Sequence, residues 1–169
     1  KGFMDFPVTL NMPGEFNVHN ALCAVAICRH FNIHVDDIRD SFADIKVKGR
    51  LEVYNTKRPY SIIIDYAHNE VSLKELLSTL RLYKPTRLVC LFGCGGNRSK
   101  LRRYEMGSVS ARLADLSVVT SDNPRYEEPS DIIADIVSSV EKEKGNYVSI
   151  EDRREAIKYA IQNAEYGDV

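Results

Sequence analysis

From Tyr60 onward, short apolar runs alternate with segments of helical spacing, and this alternation limits the folds open to the chain. The first run, Ser61–Ile64, is mostly isoleucine, which is typical of a strand buried on both faces. Strand and helix patterns then follow one another to the end of the sequence. Repeated strand–helix units imply parallel strands joined by right-handed crossovers. We therefore predict an α/β fold with a Rossmann-like, mainly parallel sheet.

Apolar spacing and turn residues mark the individual elements of this region. Strands are expected at residues 61–64, 87–92, 116–120 and 146–150. A capping box at Ser72 predicts the start of the first helix, and Pro85 lies beyond its end. Further helices are expected at about 103–114 and from Pro129, which suits the first helical position. A last helix is expected to bury Ala156, Ile157, Ala160 and Ile161.

The first 49 residues carry a different pattern, with two helices and no strand. The helices are expected at about 17–31, with Ala21, Leu22, Val25 and Cys28 on one face, and at about 35–43, with Val35, Ile38 and Phe42 inward. Two helices of this length bury little core by themselves. We therefore expect residues 1–49 to belong to a larger domain, residues 50–169 to form the α/β domain, and the chain to be a fragment of a longer protein.

Composition narrows the possible partners. The net charge is −1, which favours neither a nucleic-acid groove nor a polybasic membrane face. No apolar stretch approaches the length of a membrane span. Four cysteines in a chain of this size do not resemble a disulfide scaffold, so reduced thiols in the cytoplasm are expected. Cys90, Cys94 and His68 fit no standard zinc spacing, and no metal site is predicted.

Polar loops follow three of the predicted strands. Their segments are Asp65-Tyr66-Ala67-His68, Gly93-Cys94-Gly95-Gly96-Asn97-Arg98 and Asp122-Asn123-Pro124-Arg125. In an open parallel sheet, ligands bind where loops leave the carboxyl ends of the strands, so one shared site is expected. Arg125 carries a planar donor fork that suits a carboxylate or a phosphate.

The glycine-rich segment matches neither a dinucleotide fingerprint nor a P-loop. Four cations come close behind it: Arg98, Lys100, Arg102 and Arg103. Cations are unfavourable at a helix N-terminus, where the dipole favours anions, so we interpret the cluster as anion-binding. A tight turn followed by a solvated basic helix start is the alternative.

Ordinary structural roles are also open for the other candidate residues. Asp122-Asn123-Pro124-Arg125 is compatible with a simple turn, since Asp, Asn and Pro all favour turns. Asp65 is compatible with a cap for the helix near Asn69. Asn17 is compatible with an N-cap, and Asn20 with an exposed residue of the first turn.

Taken together, these segments resemble the Mur ligase family of amide ligases. Gly14 to Leu22 is similar to the family's adenine-contacting segment, and Gly49-Arg50 to its interdomain arginine. Asp65-Tyr66-Ala67-His68 resembles the aspartate that opens the family's C-terminal domain. Residues 92–98, 120–129 and 152–157 are similar to the members that add diaminopimelate.

The resemblance implies an ATP- and Mg²⁺-dependent ligase that adds meso-diaminopimelate to UDP-MurNAc-L-Ala-D-Glu in peptidoglycan precursor synthesis, through an acyl phosphate. Residues 1–49 would end the central ATP-binding domain, and residues 50–169 would form a C-terminal amino-acid-binding domain truncated at its end. Implied ATP contacts are Asn17 and Asn20 at adenine, Arg50 near phosphate and Asp65 near ribose. Implied contacts to the amino acid are Arg98, Asp122, Asn123 and Arg125.

The resemblance assigns no catalytic residue to this chain. The family's P-loop and Mg²⁺ ligands are expected upstream, so the chain alone is expected to be an inactive, monomeric part of the ligase. Asn97 stands where the family has aspartate, and Tyr104 where it has proline, which puts the local loop geometry in question. The alternatives are a stand-alone Rossmann-like nucleotide- or anion-binding module and another Mur-like ligase, of the lysine-adding, cyanophycin or folylpolyglutamate type.

Overall fold

The computed structural model describes residues 5–55 and 57–169, so the first four residues of the predicted helical piece lie outside it. The chain divides into two compact units, Lys1–Glu52 and Val53–Val169. The expected boundary between residues 49 and 50 lies close to this division. No helix in the described residues is both long enough and apolar enough to cross a membrane.

Among residues 5–52, the first unit contains two helices, α1 (Glu15–His30) and α2 (Val35–Asp44). Ile38 and Phe42 of α2 are buried, as their spacing predicted. Helix α1 begins two residues earlier than expected, because Gly14 is its N-cap with φ of 98°, a conformation that glycine adopts without strain. Leu22 was expected to face inward but is 60% exposed, so the apolar face of α1 is only partly covered within this unit.

The second unit follows the predicted alternation of strands and helices. Its first strand, β1 (Glu52–Asn55), was not predicted from the sequence. Eight further strands and helices of the described residues follow. They are β2 (Ser61–Ile64), α3 (Glu70–Leu82), β3 (Val89–Phe92), α4 (Leu101–Leu113), β4 (Leu116–Val119), α5 (Pro129–Lys142), β5 (Tyr147–Ser149) and α6 (Arg153–Gln162).

The main sheet has the order β3-β4-β5, and both of its strand pairings are parallel. Helices α4, α5 and α6 all pack against the central strand β4, whose Val118 and Val119 are fully buried. Ile136 and Val140 of α5 are equally buried. The predicted α/β class with parallel strands is therefore confirmed.

The start of α3 differs from the expected capping box. Asn69 is the N-cap and accepts a hydrogen bond from the backbone N–H of Ser72, which is the third residue of the turn rather than the cap. The Ser72 hydroxyl accepts in return from the backbone N–H of Asn69. The reciprocal arrangement is a capping box shifted three residues toward the N-terminus.

Strand β2 is not buried on both faces, so that expectation was wrong. Ile62 and Ile63 are half-buried, and Ile64 is 46% exposed. The reason is a gap of about 380 Å³ between β2 and β3, lined by apolar side chains of α3 and α6. These include Leu73, Leu77, Ile157 and Ile161.

Residues 167–169 enter this gap from one end. Ser61 donates a backbone hydrogen bond to Asp168, and Val89 donates one to Val169, so the segment lies between the first residues of β2 and β3. Asp168, only 4% exposed, also forms a 2.6 Å ion pair with Arg87 and a parallel bridge with it. Further along the gap, Ile63 of β2 and Leu91 of β3 line the space that this segment leaves unfilled.

We predict that an apolar extension after Val169 stabilises the second unit by adding a strand in this gap. Four residues rich in valine and isoleucine should raise the Tm by at least about 4 °C. Burying one aliphatic side chain contributes about 1.5–3 kcal/mol, and 1 kcal/mol corresponds to about 2–4 °C in a chain of this size. Calorimetry checks the result against a Gly/Ser extension of equal length. Equal Tm values for the two extensions would show that the gap does not take a strand.

Candidate functional site

Two loops leave adjacent strands at the same edge of the main sheet. We call residues 93–98, after β3, the glycine loop, and residues 121–128, after β4, the arginine loop. The register pairs Phe92 with Val119, so the two loops begin side by side. Gly96 donates its backbone N–H to the Asn123 carbonyl at 2.9 Å, and the Arg125 guanidinium donates to the Gly96 carbonyl at 2.8 Å. The loops therefore form one hydrogen-bonded structure.

Glycines permit this close approach. A Cβ on Gly93 would overlap the Thr120 carbonyl oxygen, and a Cβ on Gly96 would overlap the Pro124 carbonyl oxygen. A side chain on Gly95, by contrast, would make only an ordinary contact, 3.7 Å from the Asn123 oxygen. The glycines at 93 and 96 thus allow one loop backbone to pack on the other.

Two non-glycine residues in these loops adopt left-handed backbone conformations. Asn97 has φ of 51° and Arg125 has φ of 54°. Asparagine tolerates this region better than most residues, and the Asn97 side chain accepts a hydrogen bond from the Tyr126 backbone at 3.1 Å. The departure at Asn97 is thus accommodated locally, because the residue suits its conformation and joins the two loops. Unusual backbone conformations of this kind cluster at functional sites.

The basic cluster after the glycine loop has a partly structural role. Arg103 is 1% exposed and pairs with Glu127 of the arginine loop at 2.7 Å and with Asp135 of α5 at 2.9 Å. Lys100 lies 3.8 Å from Asp135. Two of the four cations interpreted as anion-binding therefore already have carboxylate partners, and Arg98 and Arg102 remain for a ligand.

The electrostatics of this pair keep Glu127 ionised. A hydrogen bond from Arg103, and then one from the Asn97 backbone, lower the pKa of Glu127 below its usual 4.5. Burial alone would raise the pKa of Asp135, but hydrogen bonds from Arg103 and Tyr104 outweigh it and lower that pKa. Since both pKa values are lowered on folding, the two carboxylates contribute stability at neutral pH that is lost as the pH falls through them.

The remaining polar side chains of the two loops face solvent. In the described part of the chain, no hydrogen bond or ion pair engages the side chains of Arg98, Asp122 or Asn123. A turn does follow them, since the Glu127 backbone N–H donates to the Pro124 carbonyl at 3.1 Å. This turn includes only Pro124 and Arg125 of the tetrapeptide, and the side chains of Asp122 and Asn123 stay available to a ligand.

Asp65 lies after β2 and does not cap α3, because Asn69 does so. Its Oδ1 accepts from the Ala67 backbone at 2.7 Å, forming a local turn. Asp65 and Phe92 line the same gap, which relates Asp65 to the strand that carries the glycine loop. The alternative role of Asp65 as a helix cap is thus wrong.

The nucleotide candidates of the first unit differ in accessibility. Asn17 is 5% exposed and donates to the carbonyl of Pro13, the residue before the N-cap, at 2.7 Å, so it is buried and is not itself the cap. Asn20 is exposed, with its amide nitrogen 3.5 Å from the Asn17 oxygen. Arg50 is exposed and follows Gly49, which has φ of 69°.

The cysteines are free thiols of low reactivity in the second unit. Burial raises the pKa of both Cys90 and Cys94 to about 11, which suppresses the thiolate. Cys94 Sγ lies 3.8 Å from the sulfur of Met106. The described residues contain no group of three or more His, Cys, Asp or Glu side chains that could hold a metal ion.

Comparison with known proteins identifies the class to which this fold and loop pair belong. Residues 49–169 match the family model described as Mur ligase, glutamate ligase domain. The chain belongs to the Mur ligase family.

The individual relatives point to one branch of that family. The UDP-N-acetylmuramoyl-L-alanyl-D-glutamate--2,6-diaminopimelate ligase of Clostridium perfringens is 42% identical over 163 residues, covering 95% of this chain and 33% of the relative. The ligase of the same name from Caldanaerobacter subterraneus is 41% identical, covering 96% and 34%. A solved structure of a ligase with that name superposes with a TM-score of 0.68 at 32% identity, covering 96% and 34%. The chain thus spans about a third of the length of these relatives.

The sequence did not predict the ion pair between Arg103 and Glu127. Arg103 stood among the cations, and Glu127 stood inside a motif interpreted through Arg125. One signal was present: Arg103 shares a helical face with Met106 and Ser110, both buried. A charged residue on a buried face needs a partner, but the sequence does not identify that partner.

We predict that Gly96→Ala destabilises the chain because its Cβ collides with the Pro124 carbonyl. Gly96 does not have a positive φ, so the effect reports packing and not backbone conformation. Overpacking costs about 1–3 kcal/mol, which lowers the Tm by several degrees, roughly 2–4 °C for each kcal/mol. Gly95→Ala is the matched control, with the Tm of both measured by calorimetry. A Gly96→Ala Tm equal to that of the control would contradict the close approach of the loops.

Proposed function

We propose that this chain is part of an ATP-dependent amide ligase that adds meso-diaminopimelate to UDP-MurNAc-L-Ala-D-Glu in peptidoglycan precursor synthesis. The observation that carries the proposal is the pair of hydrogen-bonded loops that presents Arg98, Asp122, Asn123 and Arg125 at one edge of the sheet. The names of the relatives at 41–42% identity agree with this substrate. Residues 1–49 then end the central ATP-binding domain, and residues 50–169 belong to the amino-acid-binding domain.

Recognition of the amino acid rests on charge. Diaminopimelate carries a second carboxylate where lysine has only an ammonium group. In our proposal the guanidinium of Arg125 pairs with that distal carboxylate, while Arg98 serves the other carboxylate and Asp122 an ammonium group. A lysine in the same place would bring its ammonium against an arginine, which disfavours it.

The hydrogen bond from Arg125 to Gly96 is compatible with this role. It uses one terminal nitrogen of the guanidinium and fixes the direction of the side chain. A guanidinium has five N–H donors, so several remain for a carboxylate. Arg125 is exposed, and its remaining donors are accessible to a ligand.

The nucleotide is assigned to the other group of residues. Asn20 offers an exposed carboxamide suited to an adenine edge, whereas Asn17, buried and already bonded to Pro13, fits direct contact less well and holds the helix start that carries Asn20. Arg50 would serve the phosphates, and Asp65 the ribose. ATP supplies the phosphoryl group that activates the substrate carboxylate as an acyl phosphate.

The residues of this chain bind and orient; we assign none of them a catalytic role. Holding the amine near the activated carboxylate and excluding water favours amide formation over hydrolysis. No P-loop sequence occurs in the 169 residues, and Mg²⁺ ligands are expected elsewhere in the complete ligase. Free cysteines agree with the reducing cytoplasm, where we place the enzyme as a monomer acting on small molecules.

The 169-residue chain alone should therefore consume no ATP when it is mixed with the UDP-linked dipeptide and diaminopimelate. The physical reason is the lack of a loop that cradles the phosphates. A coupled assay for ADP release, with the complete ligase as the positive control, measures this. Amide formation by the purified chain would show that the phosphate site has been misplaced.

Two other functions are separated from this one by experiment. A stand-alone nucleotide- or anion-binding module would bind its ligand without any ligase activity in the complete protein. A Mur-like ligase of the lysine-adding, cyanophycin or folylpolyglutamate type would show activity with a different acceptor. Supplying the complete protein with diaminopimelate, lysine and the other acceptors in parallel distinguishes these cases.

Replacing Arg125 tests the proposed selectivity. In the complete ligase, Arg125→Ala should reduce kcat/KM for diaminopimelate by at least about tenfold, since a charge-assisted hydrogen bond contributes about 1.5–3 kcal/mol and 1.4 kcal/mol is a factor of ten. The KM for ATP should change little. Arg125→Lys should restore only part of the loss, because lysine lacks the planar fork.

Tyr126→Ala is the matched control for this series. Its side chain is 96% exposed, and only its backbone contacts the other loop, so removing the ring should leave both KM values unchanged. Unchanged diaminopimelate kinetics in Arg125→Ala, or a preference of the wild-type enzyme for lysine, would overturn the role proposed for Arg125.

A further inference from the structure

Glu127 is the point at which three segments of the second unit meet. One of its carboxylate oxygens accepts from the Asn97 backbone in the glycine loop at 2.5 Å. Both oxygens accept from one terminal nitrogen of Arg103 in α4, at 2.7 and 2.8 Å. Glu127 itself belongs to the arginine loop, so a single carboxylate joins both loops to a helix.

Arg103 provides a fixed anchor for this carboxylate. Its side chain is 1% exposed, and its other terminal nitrogen donates to Asp135 of α5 at 2.9 Å. The Nε atom of Arg103 has no hydrogen-bond partner in the described part of the chain. The carboxylates of Glu127 and Asp135 therefore compensate the buried charge of the guanidinium. The Tyr104 hydroxyl donates to the other oxygen of Asp135 at 2.9 Å, and the Lys100 ammonium group lies 3.8 Å from the oxygen that Arg103 binds. The guanidinium therefore has little freedom to move.

The groups proposed to bind the amino acid lie directly beside these contacts. Arg98 follows Asn97, whose backbone N–H is bound by Glu127, and Arg125 lies two residues before Glu127. Both Asn97 and Arg125 have positive φ. Such conformations persist only where the surrounding contacts determine them. The bond from Asn97 to Glu127 fixes the residue before Arg98, and the ion pair with Arg103 anchors the arginine loop two residues after Arg125. These contacts therefore restrain the backbone from which Arg98 and Arg125 extend.

We propose that Arg103 and Glu127 are positioning residues for the amino-acid substrate, an inference that rests on the function proposed above. Their ion pair holds the glycine loop and the arginine loop in one relation, so that Arg98 and Arg125 address the two carboxylates of the same molecule. Neither Arg103 nor Glu127 contacts the substrate. Loosening the pair weakens binding of the amino acid and leaves binding of ATP unchanged.

The first part of the test measures loop order in the 169-residue chain without any ligand. Glu127→Gln is nearly isosteric, but its amide group cannot accept from Arg103 at both positions. Hydrogen exchange at the Gly96, Asn97 and Tyr126 amides should become at least about tenfold faster, while exchange in β4 and α5 stays the same. Glu128→Gln changes an exposed neighbour whose side chain makes no hydrogen bond or ion pair within the described residues, and it should have no effect.

The second part measures kinetics in the complete ligase. Glu127→Gln should raise the KM for diaminopimelate about tenfold, with kcat and the KM for ATP changed less than about twofold. Glu127→Asp retains the charge and should recover part of the loss. A merely stabilising ion pair would lower the Tm without this division between the two substrates.

Each result supports or overturns the inference. Unchanged exchange at the three amides overturns the coupling of the loops, whatever the substrate is. Faster exchange with an unchanged KM for diaminopimelate overturns the positioning role and leaves the proposed function intact. A wild-type ligase that does not use diaminopimelate overturns the proposed function and the named substrate, and the exchange measurement then decides whether the pair orders the loops.

Discussion

The buried guanidinium of Arg103 determines much of the structure around the candidate site. A charge removed from water must be compensated by partners with good geometry. Glu127 and Asp135 provide that compensation from a loop and from a second helix. Because the partners lie on different segments, the need to neutralise one side chain draws α4, α5 and the arginine loop together. The ordering of the site thus follows from electrostatics as well as from apolar packing.

Backbone contacts, together with the ion pair, hold the glycine loop against the arginine loop. The loops approach closely because glycine at positions 93 and 96 leaves no Cβ between the two chains. Hydrogen bonds from Gly96 to Asn123 and from Arg125 to Gly96 then fix their relation. Ligand binding by the polar side chains of these loops has a low entropic cost, because the backbone that carries the side chains is already ordered.

The sequence predicted features that depend on local spacing. The apolar run at residues 116–120 gave a central strand whose Val118 and Val119 are fully buried, and Pro129 begins its helix as expected. Predictions failed where a distant neighbour decides the outcome. The isoleucines of β2 are only half-buried or exposed, because the burial of a strand depends on what lies beside it. Arg103 was interpreted as one of four anion-binding cations, because its carboxylate partners lie 24 and 32 residues further along the chain.

Because Arg103 is already paired with carboxylates of the protein, fewer cations are available to bind the charged groups of a ligand. Of the cations near the two loops, Lys100 and Arg103 have carboxylate partners, whereas Arg98, Arg102 and Arg125 have none in the described residues. In the function proposed above, Arg98 and Arg125 would pair with the two carboxylates of diaminopimelate, and Asp122 with an ammonium group. Lysine would bring its ammonium group against one of these guanidinium groups, which is unfavourable. In this proposal, the preference for diaminopimelate over lysine depends on two groups of charges. Lys100 and Arg103 are neutralised by carboxylates of the protein, and Arg98 and Arg125 remain available to the substrate.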